Sequence, residues 1–166
     1  ATSINNNLGF IFNKGNQRLR VDFWDINYKN RIEVQSAQAM LLSNPNGPSI
    51  TRNIEGDLIG ITTTYFNEAN TEVSGVDLSY EALMNLKKNG VISFAIKGTS
   101  INKFLTPNNK INDGEEKHHN KMINRVGKYN YDANTHSLPK KRINIFINWD
   151  YLNYNIGLNV RHIDGY

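Results

Sequence analysis

From Ile143 to Val160 the chain alternates so regularly that few architectures can hold it. Ile143, Ile145, Ile147, Trp149 and Tyr151 interleave with Asn144, Phe146, Asn148 and Asp150. After Leu152-Asn153 the alternation resumes, with Tyr154, Ile156, Leu158 and Val160 against Asn155, Gly157, Asn159 and Arg161. A strict period of two predicts paired β-strands with one apolar and one polar face. A tight turn at Leu152-Asn153 sets Tyr151 opposite Tyr154, Trp149 opposite Ile156, Ile147 opposite Leu158 and Ile145 opposite Val160. Asp150, Asn155, Asn144 and Arg161 then share the other face. Leu152 suits a two-residue type I′ turn poorly, so a four-residue loop in the same register stands beside it.

A soluble sandwich would bury the Ile/Trp face of this hairpin against a second sheet. A transmembrane barrel would turn that face to lipid and the Asn face to its lumen. Ile143–Tyr151, at roughly 3.3 Å per residue and tilted by about 40°, covers about 23 Å, close to the apolar band of an outer-membrane barrel. Trp149, Tyr151 and Tyr154 cluster at one end of the hairpin, as in an aromatic girdle, whereas a sandwich would place large aromatics nearer its middle. The barrel is the favoured reading.

Composition does not oppose it. The 166 residues suffice for one domain. The mean hydropathy of −0.55 looks soluble, and no apolar run is long enough for a membrane helix. Alternation dilutes the lipid-facing residues of a barrel, so neither fact excludes one. The absence of cysteine fits an oxidising periplasm or cell surface. The net charge of +4 is dispersed, Lys140-Lys141-Arg142 being the one compact basic cluster; it reads as a solvated strand end, and no nucleic-acid partner is expected. Ala1-Thr-Ser carries no basic and apolar leader, so a mature chain or a piece of a larger one is expected.

Leu8, Phe10 and Phe12 mark a first strand over 5–13, and Lys14-Gly15-Asn16-Gln17 a turn. In the next strand Leu19, Val21 and Phe23 hold one parity, and Trp24, Ile26 and Tyr28 the other. The switch at Phe23-Trp24 predicts a β-bulge or emergence from the bilayer at an aromatic girdle. Residues 31–56 lose the period. Ser36–Leu42 is a candidate short helix, and Asn44-Pro45-Asn46-Gly47-Pro48 a loop. Leu58–Thr64 is weakly strand-like and Tyr65–Thr71 polar. Ser74–Ala82 alternates again, Asn85–Gly90 is a turn, and Val91–Phe104 sets Ile92, Phe94, Ile96 and Gly98 against Ser93, Ala95, Lys97 and Thr99. Thr106–Ser137 is polar and without period. Short connections at 14–17, 85–90 and 152–153 thus alternate with long ones at about 31–70 and 106–137. Short periplasmic turns alternating with long extracellular loops is the organisation of an outer-membrane barrel. Six principal strands fall short of the roughly eight that close the smallest single-chain bacterial barrels, so an internal segment of a larger barrel is expected.

The ordered set Asp22-Phe-Trp-Asp-Ile-Asn-Tyr-Lys-Asn-Arg-Ile32, Ser36-Ala-Gln-Ala-Met-Leu-Leu42, Tyr65-Phe-Asn67, Val73-Ser-Gly-Val-Asp-Leu78, Leu138-Pro139 and Val160-Arg-His-Ile-Asp-Gly-Tyr166 resembles the C-terminal half of the barrel of TonB-dependent outer-membrane receptors. The resemblance covers nearly the whole chain. It implies an all-β, antiparallel up-and-down meander, part of a transmembrane barrel of about 22 strands with a plugged lumen. It further implies residence in the bacterial outer membrane and contact with its lipid. The implied activity is uptake of a scarce ligand such as a ferric siderophore or other metal chelate, cobalamin or an oligosaccharide. Energy would reach the barrel from the TonB complex through the plug. On this reading residues 1–166 form one barrel segment, with the plug domain and the terminal strands lying outside it. A secreted β-sandwich or adhesin-like binding module and a passive porin are the rivals.

Asp77, Glu81, Lys97, Asn144, Asn148, Arg142 and Arg161 lie on the polar parity and are expected to face the lumen. Ile143, Ile145, Ile147, Trp149, Tyr151, Ile156, Leu158 and Val160 are expected to face lipid. Arg52, Tyr65, Phe66, Asn67 and Tyr129 fall in or near the long loops and are the ligand-binding candidates. Gly75, in Val73-Ser74-Gly75-Val76-Asp77, marks a bulge or a close contact. His118-His119, near Asp113, Glu115 and Glu116, lack the ligand spacing of a zinc site. Asn112-Asp113-Gly114-Glu115-Glu116 lacks the alternate oxygen ligands of a calcium loop. No catalytic set stands out, so no metal, no cofactor and no enzymatic activity are expected.

Overall fold

The computed structural model describes residues 1–68, 70–107, 122–130 and 138–166, except the side chains of Phe66 and Glu68. In chain order the elements begin with β1 (Thr2–Lys14), β2 (Gln17–Lys29), β3 (Arg31–Val34) and α1 (Ala37–Ser43). They continue with β4 (Ile50–Arg52), β5 (Leu58–Ile61), β6 (Tyr65–Glu68), β7 (Thr71–Asn85), β8 (Val91–Pro107) and β9 (Met122–Asn124). The chain ends in β10 (Lys141–Tyr151) and β11 (Tyr154–Ile163). The main sheet runs β1-β2-β7-β8-β10-β11, each strand antiparallel to its neighbours, with β9 added to the far end of β8. This is an up-and-down meander with two open edges.

The terminal hairpin has the predicted register: Tyr151 pairs with Tyr154, Trp149 with Ile156, Ile147 with Leu158 and Ile145 with Val160. The turn is the two-residue form, with Leu152 at φ +51° and 83% exposed. The long ladder therefore overrides the local preference of a leucine, and the four-residue loop is not used.

Following the cross-strand partners sideways gives one apolar face across six strands. Leu8, Phe10 and Phe12 on β1 adjoin Phe23, Val21 and Leu19 on β2. These adjoin Val76, Leu78 and Tyr80 on β7, and with the stagger of the next ladder Tyr80, Ala82 and Met84 adjoin Ile96, Phe94 and Ile92 on β8. Ile145, Ile147 and Trp149 on β10 and Val160, Leu158 and Ile156 on β11 complete the band. Aromatic contacts knit it: Phe10 meets Phe23 edge-on at 6.5 Å between ring centroids, and Tyr80 lies 6.0 Å from Phe94. None of the described residues covers the band. Among the described residues no hydrophobic side chain is buried, and Leu8, Phe12, Ile156 and Leu158 remain 55–62% exposed.

At one end of the band Trp149 stacks on Tyr151 at 5.6 Å and donates its indole N–H to the Asn89 carbonyl at 2.8 Å. At the other end the same face turns polar. Lys103 there pairs with Glu72 at 2.8 Å and Asp25 at 3.6 Å, and the Asn27 amide donates to Asp25. The opposite face changes the other way, becoming apolar with Trp24, Ile26 and Val73. The parity switch at Phe23-Trp24 is this inversion and not a bulge, because β2 pairs with both neighbours without a register shift. The bulge lies between β7 and β8, at Ser74/Gly75. There Gly75 admits the Trp24 ring: a Cβ at residue 75 would overlap the indole and the Ser100 carbonyl.

The connection between β2 and β7, where period two fails, is built rather than irregular. β3 pairs with β6, and β4 with β5, as two short antiparallel ladders. The strands β3, β4 and β6 are too short for their alternation to register. The predicted helix is present, capped by Ser36, whose Oγ accepts from the Ala39 N–H at 3.2 Å.

Overpacking at Gly75 gives the first prediction. In the folded barrel, Gly75→Val lowers stability by about 1–3 kcal/mol, read as a shift in the urea unfolding midpoint. Part of that cost returns in a Trp24→Ala background; an identical cost in both backgrounds would clear the indole of the clash.

Candidate functional site

The face opposite the apolar band collects the chain's charges in rows set by strand register. One row runs from Asp22 through Asp77 and Thr99 to Arg142. The next holds Arg20, Ser79, Lys97, Asn144 and Arg161, and a third Arg18, Glu81, Ala95, Phe146 and Asn159. The open surface between the first two rows is lined by Arg18, Arg20, Asp77, Lys97, Arg142 and Asn144.

Within this surface charges are matched locally. Arg20 grips Asp22 with two bonds, Nε to Oδ2 at 2.5 Å and Nη2 to Oδ1 at 3.1 Å. Asp22 stands directly across from Asp77, and two like charges in register repel. Arg20 offsets that repulsion, while the Thr99 hydroxyl donates to Asp77 Oδ1 at 2.6 Å. Gly9 faces Asp22 on β1, where a Cβ would press on the carboxylate. Lys97 reaches Glu81 at 3.4 Å. Arg161 Nε donates to Asn144 Oδ1 at 3.2 Å. Asn148 donates to Asp150 at 2.9 Å, and the Asn155 amide donates to the other oxygen of that carboxylate.

The structure therefore gathers Asp77, Glu81, Lys97, Asn144, Asn148 and Arg161 on one face, with Ile143, Ile145, Ile147, Trp149, Tyr151, Ile156, Leu158 and Val160 on the other. Arg18, Arg20 and Asp22 were missed as members of the polar face. Their signal is their alternation with Leu19, Val21 and Phe23.

The loop candidates do not converge. The Arg52 guanidinium is occupied by the loop itself, donating to the Gly56 carbonyl at 2.8 Å and to the Pro45 carbonyl at 3.2 and 3.4 Å. Tyr65 and Asn67 project exposed from one side of β6, and Tyr129, 69% exposed, lies in the other long connection. No hydrogen bond or ring contact among the described residues joins these four. The Phe66 side chain, His118, His119 and the 112–116 stretch lie outside the described residues. Sequence reasoning missed a buried polar anchor: Arg125, 3% exposed, donates from Nε to Thr106 Oγ1 at 3.0 Å and from its backbone N–H to the Phe104 carbonyl at 2.9 Å. Asn130 donates to the Arg125 carbonyl at 3.0 Å. These bonds fasten residues 122–130 to the end of β8.

Arg20→Leu leaves Asp22 beside Asp77 without its guanidinium and should lower the urea unfolding midpoint of the folded barrel. Adding Asp22→Asn should restore part of the loss in urea unfolding. A double variant no more stable than Arg20→Leu alone would show that the carboxylate repulsion is negligible.

A sheet with one uncovered apolar face, one charged face and connections of alternating length is the wall of a membrane barrel. The family described as TonB dependent receptor-like, beta-barrel matches residues 1–166. No curated protein and no solved structure matches. The chain belongs to the TonB-dependent receptor β-barrel family, outer-membrane receptors and transporters, and forms part of such a barrel.

Proposed function

We propose that this chain is a stretch of the wall of a TonB-energised transporter that takes up a scarce ligand of the ferric siderophore, cobalamin or oligosaccharide class, with a transport rather than a catalytic role. The observation that carries the reading is the uncovered apolar face: six strands present it, yet no hydrophobic residue among those described is buried. Exposed apolar surface this continuous needs lipid or a partner, and closed barrels are the β-architecture that crosses a bilayer with its backbone satisfied. Ile145, Ile147, Leu158 and Val160 would meet acyl chains. Asp77, Glu81, Lys97, Asn144, Asn148 and Arg161 would face the lumen, where a plug transmits TonB's action.

The stacked Trp149 and Tyr151 and the short turns at 152–153 and 86–90 would lie at the periplasmic interface, and the long connections outside the cell. Tyr65, Asn67 and Tyr129 would be the loop side chains that touch a ligand, whereas Arg52 bonds within its own loop.

Residues 1–166 hold no cysteine, so single cysteines introduced among them can carry a fluorescent probe in a complete receptor from which any other cysteine has been removed. In vesicles with brominated acyl chains, probes at positions 145, 147 and 158 should be quenched, and probes at 144, 148 and 161 should not. Quenching at position 144 would reverse the two faces and sink the assignment. Asn144→Leu with Asn148→Leu should leave bilayer insertion unchanged. Ligand class is read separately: cells lacking the receptor should lose proton-motive-force-dependent uptake of a ferric chelate, cobalamin or an oligosaccharide, and retention of all three would refute the uptake reading.

A further inference from the structure

Phe146 breaks the pattern of its strand. It holds the parity of Asn144, Asn148 and Asp150, so its ring stands on the charged face, 41% exposed, and adds nothing to the apolar band. Register sets that ring in a hollow. Its partners across the ladders are Ala95 and Asn159, and the next row toward the short turns carries Ser93, Asn148 and Gly157. These neighbours are short. Leu83, whose N–H donates to the Asn16 carbonyl, adds an exposed apolar edge on the β7 side. The resulting cavity measures about 780 Å³ and reaches the turn at 14–17. Small-ligand sites have volumes of this order.

The lining has a chemistry of its own. Its charged members are Arg18 and Glu81, opposite in sign and directly across from each other. Its other polar side chains are the carboxamides of Asn13, Asn16, Gln17, Asn148 and Asn159 and the Ser93 hydroxyl. Among the described residues the carboxamides of Asn16 and Asn159 make no hydrogen bond, and Asn148 spends one N–H on Asp150 and keeps its oxygen. A carboxamide both donates and accepts, as a hydroxyl does. A phenyl face is negative and attracts C–H groups. A sugar ring offers both partners, an apolar C–H face and a rim of hydroxyls.

We propose that the Phe146 hollow is a binding site for one ring of a neutral oligosaccharide, stacked on the phenyl and hydrogen-bonded at its rim by Asn148 and Asn159. The inference rests on the uptake reading and the lumenal assignment of this face, and it selects the sugar from the three ligand classes. A charged ferric chelate finds no net charge in this lining, because Arg20, Lys97 and Arg142 line the neighbouring surface instead.

The test uses the complete receptor in a detergent without sugar headgroups, probed with maltotriose, cellotriose and mannotriose by saturation-transfer NMR. At least one trisaccharide should take up saturation, most strongly at the C–H protons of a single ring. Phe146→Ala should weaken that binding about tenfold or more, and Phe146→Trp should keep it. Asn159→Leu, which spares the ring and removes a carboxamide, should weaken it too, so a Phe146→Ala chain that does not fold leaves the site testable. No binding of any of the three sugars, or unchanged binding in the folded variants, would overturn the proposal. Failure of the uptake reading has a different signature: sugar still binds at Phe146, yet cells lacking the receptor keep uptake of all three ligand classes.

Discussion

Lipid offers the backbone no hydrogen bonds, and that one fact governs the architecture. Every N–H and C=O that crosses the band must find a partner on an adjacent strand. The long ladders of β2, β7, β8 and β10 supply those partners on both sides. Once the ladders are fixed, side chains sort by parity alone, and the chain needs no core of its own. The absence of buried hydrophobic residues among those described is thus a property of the design and not of instability. On the proposed reading lipid covers the apolar face, while matched pairs such as Arg20–Asp22 and Lys97–Glu81 settle charges on the other.

Both faces of the sheet change character at the same level. Where Phe23 gives way to Asp25 and Val76 to Ser74, the outward side turns from apolar to ionic, and the other side turns from the Arg20–Asp22 pair to Trp24 over Gly75. Above that level the long connections take over. Residues 31–68 rise as nested ladders, and 122–130 are pinned to β8 through Arg125 and Thr106.

The hairpin β10–β11 was fully legible, to the residue pair, because nine alternating positions leave a single register. The strand β8 shows why legibility has limits. Its even positions are apolar at Ile92, Phe94 and Ile96 and again at Phe104, so they read as one parity. Two inversions are hidden there: Asn102 is the extra residue of the bulge, which flips parity, and the environment flips at the same level. They cancel in the sequence. In β2 the environment flips without a bulge, so the pattern breaks visibly and points to a bulge that lies two strands' pairing away. Charge matching was legible only as parity. Arg20 and Asp22 are two residues apart on β2 and parity puts them on one face, but that Lys97 takes Glu81 depends on the stagger between β7 and β8. The loop strands β3, β4 and β6 escaped because three or four residues carry too little periodicity to distinguish a strand from a polar loop, while β5 registered weakly within Leu58–Thr64.

The bond from the Trp149 indole to the Asn89 carbonyl spans two hairpins, β7–β8 and β10–β11, at their shared end. It has a mechanical meaning. A pull applied to the Asn85–Gly90 turn passes into β10 through that bond as well as through the ladder. The outermost pairs, where fraying would begin, are thereby loaded together. The turn after β7 is thus tied to β10 by a side chain as well as by the backbone ladder.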